Sequence, residues 1–128
     1  VAPLPECDAI MGTFAFHHIR DMKKKQEFYR RAFRALRPGG ILIAGDCNPS
    51  STAEGIERGL EEWYTHLARK FGRAKGKKVF ESWADEDYYV PLKEEVALME
   101  RAGFEVEVVW RRLPMAVLGA RKPGGSAR

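Results

Sequence analysis

Leu36-Arg37-Pro38-Gly39-Gly40 runs straight into the apolar stretch Ile41-Leu42-Ile43-Ala44-Gly45 and ends on Asp46. This passage restricts the fold more than any other. A helical pattern stops at Leu36. Pro38 biases Arg37 away from helix, and the glycine pair supplies the backbone freedom a tight reversal needs. The segment therefore reads as a helix-to-strand turn. The apolar run beyond it shows no alternation, which suits a strand covered on both faces, as in a parallel sheet.

The neighbours of that strand follow from local pattern. Cys7-Asp8-Ala9-Ile10-Met11-Gly12 reads as a short buried strand, and Thr13-Phe14-Ala15-Phe16-His17-His18 carries it into a loop. Asp21 is a good N-cap for the helix that follows. Its apolar positions Phe28, Ala32, Phe33, Ala35 and Leu36 recur at helical spacing, and basic residues occupy the remaining faces. Strand, helix of about four turns, strand is a right-handed crossover unit, which makes the two strands parallel.

Downstream, Ser51 with Glu54 three residues on forms a capping box. The helix behind it carries the stripe Ile56, Leu60, Trp63, Tyr64, Leu67 and Phe71, and Gly72 ends it. Lys75 to Lys78 reads as a mobile loop, and Ser82 as the cap of a short helical turn through Trp83 and Tyr88. Pro91 opens a helix whose Leu92, Val96 and Met99 face inward, closing at Ala102-Gly103. Phe104 to Trp110 alternates as a half-exposed strand. Arg112-Leu113-Pro114 is too short for a crossover, so Met115 to Ala120 returns antiparallel.

Composition bounds the function. The 128 residues fit one domain or a fragment of a larger fold. No apolar run approaches the ~20 residues of a membrane helix, and no charged-then-apolar leader is present, so a cytoplasmic protein is expected. Cys7 and Cys47 match no metal or redox spacing and read as reduced, structural thiols; no metal is expected. The formal charge of +4 is unevenly spread. Basic blocks lie at Arg20–Arg37 and Arg69–Lys78, and an acidic one at Glu81–Glu100. With neither aromatic interleaving nor a nucleic-acid motif, the basic blocks read as solvated helix faces, and nucleic acid is not the expected partner.

In order and residues together the chain resembles the C-terminal half of a class I S-adenosylmethionine-dependent methyltransferase, of the kind that includes the quinone methyltransferases. Asp8-Ala9-Ile10 through Phe16-His17-His18-Ile19 resembles that family's fourth strand and the loop after it. Leu36 to Gly40 with Ile41 to Asp46 resembles the entry to its fifth. Ala102-Gly103-Phe104 is similar to the approach to its sixth, and the hairpin into Ala120-Arg121-Lys122-Pro123 to its seventh. The resemblance implies an α/β, Rossmann-like C-terminal half-domain: two parallel strands with a crossover helix plus a C-terminal antiparallel hairpin. The strand order it implies is first, second, fourth, third. Residues 1–128 are then one methyltransferase-like domain fragment, with a lid-like helical insertion at 51–90 and a disordered tail at 122–128.

The family grips its cofactor, S-adenosylmethionine, with a glycine-rich turn, an acidic residue for the ribose and a segment for the adenine, and these stretches are not in this sequence. Gly39-Gly40 opens no phosphate cradle. A chain of these residues alone is expected to bind S-adenosylmethionine poorly and to be inactive by itself. What remains is the acceptor side.

Ligands of open α/β sheets bind outside the carboxyl ends of parallel strands, here Gly12-Thr13-Phe14 and Asp46-Cys47. The resemblance assigns Gly12, Thr13 and Phe14 to the methionine part of the cofactor. His17, His18 and Asp46 are the catalytic candidates, since imidazole changes charge near neutrality and a strand-end carboxylate can hold a proton or a substrate group. For each the ordinary alternative is packing, capping or solvation. His66, Trp63 and Phe71 read as structural, while an aromatic-rich lid favours a flat or apolar acceptor.

Three functions compete. The first is the acceptor-side part of a methyltransferase acting on a small-molecule acceptor. The second is a non-catalytic remnant kept as a binding or scaffolding module. The third, weaker, is an RNA-modifying methyltransferase using the basic blocks. Because the strand at residues 7–16 would be left with a bare edge, pairing with an N-terminal half or a second copy is expected there.

Overall fold

In the computed structural model, which describes residues 3–82 and 89–124, the apolar run through Leu42 lies at the centre of a four-stranded mixed sheet. Strand β1 (Cys7–Thr13) pairs in parallel with β2 (Leu36–Cys47), and α1 (Met22–Ala35) crosses between them. β3 (Glu105–Arg112) and β4 (Met115–Arg121) form the hairpin, and β4 lies antiparallel between β2 and β3. The order β1-β2-β4-β3 is the one the resemblance implies.

Asp21 caps α1 as expected, its carboxylate accepting from the backbone N–H of Lys23 at 2.8 Å and of Lys24 at 3.4 Å. The buried face of α1 differs from the expected stripe. It consists of Lys25, Gln26, Tyr29, Ala32 and Ala35, while Phe28 and Phe33 pack at its margin. Lys25 and Tyr29 are inside because Glu95 meets both from α4 (Leu92–Arg101). Lys25 Nζ lies 3.0 Å from a Glu95 oxygen, and the Tyr29 hydroxyl donates to the other. The Gln26 amide donates to Leu98 O at 2.9 Å, adding a third tie. A lysine on a face otherwise apolar is tolerated only when its charge is matched in this way.

α1 and α4 together cover one face of the sheet, where Leu42, Ala44, Leu118 and Ala120 join Tyr29, Met99 and Phe104 in the core. The opposite face of β2, with Ile41 and Ile43, is only half-buried, so coverage on both faces, expected from the unbroken apolar run, is incomplete in this chain. β1 also departs from expectation. Asp8, Ala9 and Met11 are exposed rather than buried, in an edge strand with β2 on one side only, and Thr13, expected in the loop, is its last residue.

Leu36 to Gly40 proves to be the first part of β2 and not a turn. Leu36 already has extended dihedrals, and Cys7 pairs with Leu36 but Ala9 with Ile41, so Arg37 to Gly40 form an irregularity within the strand. Both glycines are required for this. Gly39 has φ +85°, and a Cβ on Gly40 would stand 2.8 Å from Arg37 O and 2.9 Å from Asp8 O. Lys122, expected in the tail, is fixed here. Its N–H donates to Gly40 O, its carbonyl accepts from Gly39 N–H, and its Nζ reaches Phe33 O and Leu36 O, each at 2.8 Å. Residues 125–128 lie outside the described part.

α2 (Ala53–Phe71) and α3 (Arg73–Ser82) form a helical arm. The cap of α2 is Thr52 rather than Ser51, its hydroxyl accepting from Gly55 N–H at 3.0 Å. Gly72 ends the helix as expected, but Lys75 to Lys78 are helical, within α3. Trp63 and Tyr64 grip Phe80 edge-on, which holds α3 against α2. Of the expected α2 stripe only Leu67 is buried, and Ile56, Leu60 and Phe71 are exposed. Ser82 ends α3, its hydroxyl donating to Val79 O; the turn expected through Trp83 and Tyr88 falls outside the described residues. Pro91 precedes α4 as expected, and the chain leaves it through Ala102 and Gly103.

Candidate active site

Register brings the two strand ends together. Thr13 pairs with Gly45, and the N–H of Phe14 donates to Gly45 O at 2.8 Å, so Asp46 lies directly beside the Thr13-Phe14 corner. There the chain kinks away from the sheet with Phe14 at φ 53°, an uncommon conformation for a bulky residue. It then winds into a 3-10 turn at Phe16–His18. This turn packs Phe16 over Gly12, where an added Cβ would stand 2.4 Å from the ring. It also drops His17 onto Asp46.

The His17–Asp46 pair is the most fully specified polar contact at this end of the sheet. Nδ1 of His17 lies 2.9 Å and 3.1 Å from the two carboxylate oxygens, and the His17 backbone N–H donates to Oδ2 at 3.1 Å. The Cys47 N–H donates to Oδ1 at 2.8 Å. Both residues are buried, at 6% and 5% exposure, so the pair is shielded from competing water. An ionised carboxylate only accepts, so the hydrogen bond runs from the Nδ1–H of His17 to Asp46, with Nε2 on the opposite side of the ring.

His17 opens on a cavity of about 730 Å³ between the sheet end and the arm, within the range of small-molecule sites. Phe14, Trp63, Phe71 and Tyr89 give it aromatic walls, and the hairpin residues Leu113, Pro114 and Met115 line it too. The rings are continuous: Tyr89 lies 5.3 Å from His17 and 5.6 Å from Trp63. Arg111 holds the hairpin wall to the end of β2. Its Nη1 donates to Asn48 O at 2.5 Å, Pro114 O at 3.2 Å and Met115 O at 3.3 Å. Burial draws this guanidinium below its usual pKa, with the Cys47 thiol acting in the opposite sense. Asn48 anchors the far end of the arm, donating from its amide to Val90 O at 3.0 Å.

No protein-family model matches the chain. Over 99 residues it is 29% identical to an uncharacterised methyltransferase of Oceanobacillus iheyensis, covering 77% of this chain and 41% of that protein. Among solved structures it resembles an O-methyltransferase family 2 protein of Planctomyces limnophilus, determined in complex with apigenin, at TM-score 0.65 and 18% identity over 95% of this chain and 32% of that one. Human N-acetylserotonin methyltransferase, determined with S-adenosylmethionine, matches at TM-score 0.64 and 18% identity, over 96% and 31%. The fold is that of a class I methyltransferase. The chain spans about two-fifths of the curated relative and about a third of these two structures.

Within the methyltransferase fold the residues singled out from sequence do not stay together. His17 and Phe14 line the cavity, and Asp46 is buried behind His17. His18, its ring 4.1 Å from that of His17, is exposed and does not line it. Gly12 lies beneath Phe16, and Thr13 is exposed beside Gly45. Three residues read as structural, His66, Trp63 and Phe71, line the cavity instead. Their spacing on one helix was visible, but the helix turns that stripe toward an open space and not into the core. Cys47, read only as a strand end beside Asp46, and Tyr89, read as part of the aromatic-rich lid, also line the cavity; the hairpin wall was not singled out, and no local signal marks it. Among the described residues no group of three or more His, Cys, Asp or Glu side chains is placed to hold a metal.

Proposed function

We propose that this chain is the acceptor-side part of a methyltransferase that moves the methyl group of S-adenosylmethionine to a hydroxyl of a small, flat acceptor. The observation that carries this reading is the buried His17–Asp46 pair opening on an aromatic cavity at the carboxyl ends of β1 and β2. A scaffold module has no use for a histidine held to one carboxylate by two contacts of its ring and one of its backbone N–H. In the first basic block Arg31 and Arg34 pair with Glu27, and Arg37 with Glu6 and Asp8, which offsets part of the charge that the RNA-modifying alternative would use.

The residues present suit one end of the cofactor. Phe14, pushed outward by its positive φ and exposed, offers an aromatic face of the kind that favours a sulfonium, with the buried Asp46 carboxylate behind it. Gly12 and Thr13 complete that strand end. S-Adenosylmethionine supplies an electrophilic methyl group. Everything else falls to side chains: Tyr89, Trp63 and Phe71 hold the acceptor plane and exclude water, and His17 Nε2 takes the hydroxyl proton as the oxygen forms its bond to carbon. Asp46 keeps the imidazole in the tautomer that can do so and stabilises it once charged. The partner expected at the β1 edge is the cofactor-gripping half, whether from a longer chain or a separate one.

The test is methyl transfer to a panel of phenols, by this chain and by the longest reading frame that contains it, together with calorimetric titration of S-adenosylmethionine. In whichever form is active, His17→Ala and Asp46→Asn are expected to lower kcat about 10²–10⁴-fold with little change in cofactor affinity. Wild-type turnover in both variants would remove the general-base role.

A further inference from the structure

The cavity wall is not electrically neutral. Along its rim Arg69 and Lys70, at the last turn of α2, stand next to the exposed Phe71, and Arg112 faces them from the hairpin. Among the described residues the one acid in the lining, Glu62, pairs with Arg112 at 3.4 Å, and no described acid of the lining pairs with Arg69 or Lys70 at the mouth. Beyond them the chain continues through Arg73, Lys75, Lys77 and Lys78 with no acid before Glu81. A cleft with low-dielectric walls concentrates the field of such charges on whatever enters it. Cations in the last turn of a helix also complement its dipole, but that role does not require them to line a cavity whose other walls are aromatic.

Resting on the methyltransferase reading above, we propose that the acceptor is an aromatic anion. Its ring plane lies between Trp63, Phe71 and Tyr89, its hydroxyl reaches His17, and a carboxylate or similar anionic group at the opposite end meets Arg69 and Lys70. The aromatic walls set the shape of the acceptor and the two cations set its charge. A neutral phenol of the same shape satisfies only the first requirement.

The matched probes 6-hydroxy-2-naphthoate and 6-hydroxy-2-naphthamide separate the two. They share the ring system and the hydroxyl and differ in charge at the far end. Binding to the chain is measured by calorimetry at low and at near-physiological salt. The naphthoate is expected to bind at least tenfold tighter at low salt, with the gap narrowing as salt rises. In the doubly substituted chain Arg69→Gln/Lys70→Gln, whose changes are both at exposed positions, the two probes are expected to bind alike. Equal affinity in the unsubstituted chain overturns the charge assignment and leaves the acceptor cavity standing. Failure of both probes to bind a chain shown by circular dichroism to be folded overturns the cavity's role and this inference with it. Retention of the full preference in the double variant also overturns the assignment to Arg69 and Lys70.

Discussion

Tyr29 shows how far a single residue can depart from what its sequence position suggests. Burial first, then the charge and hydrogen bond of Glu95, then the charge of Asp46, push its hydroxyl far above the ordinary 10.0. A group whose proton is held more tightly folded than unfolded stabilises the fold below its unfolded pKa. That contribution is lost as pH rises, because only the unfolded chain releases the proton. Stability is therefore expected to fall from about pH 10 upward by about 1.4 kcal/mol per pH unit from this group alone. Urea denaturation of the native chain and of Tyr29→Phe across pH 9 to 11 checks it, with the variant less stable at neutral pH but shallower in its alkaline decline. His17 and Asp46 were legible as candidates because strand ends are where such folds keep their chemistry. Their hydrogen bond was not, since it depends on Phe14 adopting a positive φ that no local pattern announces.

Among the elements, α1, α4 and the hairpin were legible because caps and periodicity agree with their packing. Asp21, Pro91 and Gly103 each do what their chemistry favours. α3 was not, because Arg73 to Lys78 carry too little apolar periodicity; the helix is held by Phe80 against Trp63 and Tyr64. The inner face of α1 was misread for the opposite reason. Lys25 looks like a surface residue until Glu95, 70 positions on, is placed opposite it. Replacing Lys25 with Ala leaves that carboxylate buried without its counter-charge and is expected to cost about 3–5 kcal/mol in chemical denaturation. Lys25→Met combined with Glu95→Gln is expected to recover most of the loss, since the variant buries no lone charge.

At the scale of the whole molecule, the sheet has two edges of different character. β3 is irregular between Val108 and Trp110 and carries charged residues at both ends, the kind of edge that resists strand addition. β1 is short but open, with Met11 70% exposed and Ala9 exposed beside it. Its outer side is expected to recruit another strand, from a cofactor-gripping half or from a second copy. Sedimentation of the chain alone is expected to show self-association that rises with concentration, and Met11→Lys is expected to reduce it without lowering the melting temperature by more than a few degrees. A sharp monomer at high concentration in the unsubstituted chain contradicts this.

The antiparallel placement of β4 between β2 and β3 also fixes the order in which a nascent polypeptide can mature. On a ribosome, everything up to Pro114 emerges while β2 lacks its right-hand neighbour and β3 has nothing to pair with. Only when Met115 to Arg121 clear the exit tunnel does one segment zip both gaps at once. A stop codon placed after Pro114 should therefore yield protease-sensitive debris in place of a slightly smaller protein.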